Sequence, residues 1–176
     1  LVPEIGVLTG AASIASVYKL ASAWGQGGTN LRTSSRSIGI DVGRHAALRN
    51  AAELSGASAD AMSGTLDDLS KQKWRILGGF DPAGAAQFQA LGISMEELKK
   101  LSPEQIFQRI AEKIRGIKDP AAQAIAAIDL LGENGKSLIP IFQQSAKAFE
   151  DNVKAGQRHS TFTKDMADAA DRLRKA

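Results

Sequence analysis

Apolar residues recur along this chain at three- and four-residue intervals. In the clearest case, Ile106, Phe107, Ile110, Ile114 and Ile117 form one stripe, while Gln108, Arg109, Glu112, Lys113 and Arg115 cover the other side. That pattern predicts a helix with one face in a core. Just upstream, Ser94 with Glu97 and Ser102 with Gln105 have the spacing of capping boxes, and Ile93 with Leu98 and Leu101 with Ile106 that of hydrophobic staples. Two short helices in series are therefore expected. Asp41 is a candidate N-cap and Gly56 a candidate C-cap for one helix, and Ser58 opens another that runs through Trp74 to about Leu77 and is closed by Gly78 and Gly79. Asp81-Pro82, Ser102-Pro103 and Asp119-Pro120 repeat one device, a capping side chain followed by proline at the first helical position. After the last of these, Ala124, Ile125, Ile128 and Leu131 stand at helical spacing. "IGID" at 38–41 echoes "LGIS" at 91–94, which reads equally as a worn internal repeat or as a common way to enter a helix.

The two ends follow other patterns. Residues 5–28 are apolar for nearly the length of a membrane span, but Lys19 and scattered Ser, Thr and Gly dilute them, so a packed helix of small residues is expected in preference to a span. The next stretch, "GGTNLRTSSRS", has the content of a flexible joint, although Leu31 and its spaced arginines also suit a helix. At the far end, Phe162, Met166, Ala169 and Leu173 follow four-, three- and four-residue spacings, the a/d seam of a coiled coil. This seam is expected to continue as a longer helix in a parent protein and to pack on its own domain or on another copy.

Composition supports the helical reading: alanine is abundant and aromatics make up 5% of residues, where strands would favour β-branched and aromatic side chains. The chain has 176 residues, enough for one sizeable core, and no cysteine, which excludes disulfides and thiolate chemistry. Two histidines make a dedicated transition-metal site an unfavourable reading, and no cofactor is expected. The net charge of +3 and pI near 9.3 point only weakly to a polyanionic partner, because both signs are interspersed. The chain starts at Leu1 rather than Met and carries no legible secretory signal, which reads as a processed product or a piece of a longer chain.

Candidate chemistry is thin. Gly135-Lys136-Ser137 ends like a phosphate-binding loop, but the position five residues before Gly135, where that pattern needs its first glycine, holds Leu130. An alanine-rich helix, not a strand, leads into it. Gly132 and Gly135 read instead as a helix C-cap and a tight connection to a helix beginning near Ser137. His45 lies four residues from both Asp41 and Arg49, the pattern of an exposed helix face, and His159 has even less around it. Two basic sets, Arg32, Arg36, Arg44 and Arg49, and Lys71, Lys73 and Arg75, are mostly diluted by acids and are read as lacking a recognition motif and interleaved aromatics, so solvated faces are expected. No set of residues assembles an active site, and an enzyme is not expected.

Taken together, Leu91 to Phe149 resembles the tail tape measure proteins of long-tailed bacteriophages and prophages. The residues that carry the likeness are Leu91-Gly92-Ile93-Ser94, Leu101-Ser102-Pro103-Glu104, Phe107 with Ile110-Ala111 and Ile114, Asp119-Pro120, and Gly132, Gly135, Leu138 and Pro140. The helix pair upstream extends the likeness to about residues 38–150, and Lys136 falls at one of the family's variable positions. The resemblance implies a structural role in setting tail length and in tail assembly. It also implies placement in the virion tail, or in the host cytoplasm during assembly. Implied partners are the tube, tail assembly chaperones, the tail tip and other copies of the chain, with membrane contact only through other parts of a parent chain. A helical nucleic-acid-binding or adaptor module is the alternative. The expected fold is all-α, a compact array of short helices and helical hairpins, organised as 1–37 (apolar helix and joint), 38–156 (tape-measure-like domain) and 157–176 (C-terminal helix).

Overall fold

The structure, a computed structural model, describes residues 30–158. Among the described residues there are helices and no strand, so the fold is all-α. The elements are α1 (30–38), α2 (Val42–Leu54), α3 (Ala59–Leu77), α4 (Pro82–Ala90), α5 (Met95–Lys100), α6 (Pro103–Arg115), α7 (Pro120–Leu131), a 3₁₀ turn (Glu133–Leu138), α8 (Ile139–Phe142) and α9 (146–158). The stretch left open between a joint and a helix is helical from residue 30.

The caps read from sequence form as hydrogen bonds. Asp41, Ser58, Asp81, Ser94, Ser102 and Asp119 each accept from the backbone N–H three residues on, and both capping boxes close reciprocally. The echo between 38–41 and 91–94 has a structural cause. At Gly39, Gly56, Gly79 and Gly92 the backbone turns left-handed, with φ between 77° and 80°, a conformation open to glycine at little cost. In all four places the next residue, Ile40, Ala57, Phe80 or Ile93, donates its N–H to the carbonyl five residues back. An Asp or Ser cap follows at once. One three-residue connector, glycine then apolar residue then cap, thus joins five consecutive helices.

The longest helix, α3, is the hub, packing against α2, α4, α5, α6, α7 and the 3₁₀ turn. Its Met62, Leu66 and Leu69 are buried, as are Ala47, Leu48, Ala51 and Ala52 of α2. The α6 stripe enters this core as expected, with Ile106, Phe107, Ile110 and Ile114 buried. Phe107 stands 6.2 Å from Phe142 and 6.3 Å from Phe149, tying α6 to α8 and α9.

The α7 helix forms where its spacing predicts, and the connection after it needs correction. The face that α7 buries carries Gln123, Ala127 and Leu131, whereas Ile125 is 60% exposed. Gln123 is tolerated there because its amide donates to the carbonyls of Ile114 (3.2 Å) and Phe142 (3.5 Å). Residues 133–138, placed in a connection before a helix near Ser137, instead wind as a 3₁₀ turn that leads into a four-residue helix at Ile139. Gly132 reverses the chain at φ 70°, ψ −165°, a region reserved for glycine. The turn then lies so tightly on α7 that a Cβ at Gly135 would meet the Ala127 carbonyl oxygen at 2.1 Å.

Candidate functional site

The geometry around Lys136 forms no phosphate cradle. A helix precedes the loop, the Gly135 N–H is spent on the Gly132 carbonyl at 2.9 Å, and the Lys136 side chain is exposed on a 3₁₀ turn. Successive free N–H groups after a strand, which the phosphate loop requires, are not what this segment offers.

His45, read as part of an exposed face, is completely buried and sits at the centre of a polar network joining three helices. Asp41 is occupied elsewhere as the N-cap of α2. The Ser35 hydroxyl of α1 donates to the Leu31 carbonyl at 2.7 Å, so it accepts from His45 Nδ1–H at 2.8 Å. His45 Nε2 then accepts from the Ser63 hydroxyl of α3 at 2.9 Å, and Ser63 in turn accepts from Arg49 Nη1 at 2.6 Å. Arg49 also donates to the Ala59 carbonyl and pairs with Asp60 at 2.8 Å. Burial, and secondarily the Arg49 guanidinium, lower the imidazole pKa from 6.5 to about 4, which keeps His45 neutral near pH 7.

A serine hydroxyl pointed at an imidazole lone pair is the arrangement of a nucleophile and its base. Here the base is weak and the hydroxyl oxygen is already held by Arg49. Ser63 lies in the body of α3, where backbone N–H groups serve the helix and cannot stabilise an oxyanion. What the network does chemically is satisfy its own buried groups while latching α1 and α2 to α3. Thr65, also buried on α3, has no partner for its hydroxyl and borders a cavity of about 400 Å³ whose rim includes Arg75, Asp81 and Asp129. Those mixed charges select no ligand class.

The basic sets are broken up. Arg44 pairs with Glu104 at 2.8 Å, Arg49 with Asp60, and Lys71 with Asp67, while Lys73 donates to the carbonyls of Lys99 (3.2 Å) and Leu101 (2.7 Å) at the end of α5. The sequence reading passed over Trp74, which stands between Lys73 and Arg75 and is 67% exposed, with Lys73 Nζ 5.8 Å from its ring centre. An aromatic flanked by cations was the available signal. Among the described residues no group of three His, Cys, Asp or Glu side chains clusters as a metal site. None of the helices there is long and apolar enough to cross a membrane. The apolar stretch 5–28, His159 and the seam of Phe162, Met166, Ala169 and Leu173 lie outside the described residues. No protein-family model, curated protein or solved structure matches the chain.

Proposed function

We propose that this chain is a structural segment of a phage tail tape measure protein, contributing to tail length and tail assembly without catalytic turnover. The observation that carries the reading is the ordered run from Leu91 to Pro140, in which a connector, a proline-started capped helix, an apolar stripe, an alanine-rich helix and a glycine turn follow in the family's sequence. The residues of that run serve packing. Phe107, Ile110, Ala111, Ile114 and Leu138 are buried, and Gly135 admits the close approach of two segments. Its partners on this reading are the tube, the assembly chaperones, the tail tip and further copies of the chain, in the virion tail or the host cytoplasm during assembly. A helical rod measures length in proportion to residue number, at about 1.5 Å per residue. This segment is divided into short helices, so it acts as a folded unit outside the tube. The test is an in-frame deletion of the segment in its parent gene, with tails measured by electron microscopy. Shortened, heterogeneous or unassembled tails are expected, and full-length infectious tails would contradict the assignment.

The exposed Trp74 beside Arg75 favours a second reading, an adaptor or nucleic-acid-binding module. It requires binding to single-stranded DNA that weakens steeply with salt and is lost in Trp74→Ala.

A further inference from the structure

Four asparagines occur in the chain, and only Asn134 is followed by glycine. An Asn-Gly pair is especially open to deamidation, because no Cβ on the second residue hinders its backbone nitrogen from reaching the asparagine side chain. Glycine is required at 135 for a different reason. A side chain there would run into the Ala127 carbonyl, so the packing of the 3₁₀ turn on α7 dictates the very residue that makes Asn134 reactive.

The fold holds the two reacting groups apart. Gly135 lies against α7, and its N–H is donated to the Gly132 carbonyl at 2.9 Å. The Asn134 amide lies instead on α3, where its Nδ2 donates to Asp68 Oδ2 at 3.3 Å. It also stands over Gly64, 2.7 Å from where a Cβ at 64 would sit. Gly64 is in the body of α3, a position where glycine weakens a helix relative to alanine. What it provides there is room for the Asn134 amide.

We propose that Asn134-Gly135 is a deamidation site gated by conformation, closed while the amide is clamped on α3 and open once the turn leaves α3 and α7. The proposal does not rest on the tape measure reading. In the reaction the Gly135 nitrogen bonds to Asn134 Cγ as the Cγ–Nδ2 bond breaks, and Nδ2 departs as ammonia with the proton from Gly135. Water then opens the cyclic imide to aspartate or to isoaspartate. Neither product suits the folded turn. Aspartate at 134 sets a second carboxylate beside Asp68, where the amide had donated. Isoaspartate routes the main chain through Cγ, adding a methylene to a turn that the Gly132 hydrogen bond and the Ala127 contact leave without slack. A reversible opening thus becomes a permanent loss of the turn.

The full chain, held at mildly alkaline pH with and without urea, tests this when the peptide containing residue 134 is followed by mass spectrometry. Deamidation of the native protein is expected to be at least about tenfold slower than in urea, since only the opened population reacts. Gly64→Ala puts a methyl group where the amide lies, and Asp68→Ala removes the acceptor at an exposed position. Each is expected to raise the native rate severalfold while far-UV circular dichroism holds. The deamidated chain, separated by ion exchange, is expected to unfold at lower urea than the parent. Equal rates with and without urea overturn the proposal, as do native rates that stay at the parent value in both variants. A deamidated chain that unfolds at the parent's midpoint overturns it too.

Discussion

His45 carries the clearest pH signature in the molecule. Its folded pKa of about 4 lies below the ordinary 6.5, so the unfolded chain binds the proton more readily between these values. The stability it contributes is complete above pH 6.5 and is lost as the pH falls toward 4, an effect of at most about 3 kcal/mol. Urea titrations at pH 7.5 and 4.5 are expected to differ by more in the parent than in His45→Gln, and equal differences would refute this account. The burial of His45 was not legible in the sequence, because Asp41 and Arg49 at helical spacing look like a solvated face and its partners, Ser35 and Ser63, come from other helices. At Lys136 the sequence was sufficient: without the first glycine, no spacing rescues the loop. Lys136→Ala is expected to leave stability within about 0.5 kcal/mol and to abolish no nucleotide affinity, as calorimetry with ATP would check. Gly135→Ala, forcing a Cβ toward the Ala127 carbonyl, costs about 2 kcal/mol or more in the same urea assay.

Among the elements, the starts and stops of helices were the most legible, because caps act within four residues and need no tertiary partner. Ser102→Ala removes one side of a closed capping box and is expected to cost about 1 kcal/mol in thermal or urea unfolding. An unchanged midpoint would show that the box contributes nothing here. The face of α7 was harder to read. It is apolar almost all round, so its periodicity cannot say which side is buried, and the hydrogen bonds of Gln123 to distant carbonyls decide it. The 3₁₀ turn was missed for a related reason. Its form depends on the reversal at Gly132 and the contact with α7 rather than on any local helix signal.

At the scale of the whole molecule, the all-α class followed from alanine content, caps and stripes, each of which independently disfavours strands. The placement of α9 along α2 did not, since it rests on a glycine, Gly156, that only the folded contact explains. The four connectors at Gly39, Gly56, Gly79 and Gly92 have a kinetic consequence. Each turn is closed by a hydrogen bond spanning five residues, so reversing the chain there requires almost no loop-closure entropy, and the helices from α1 to α5 can form beside one another before any distant contact is made. Stopped-flow refolding from urea is expected to finish within milliseconds, the range of helical domains rich in local contacts. On the proposed role, a segment that must be extended to pass along a tube could recover its shape almost as soon as it emerged.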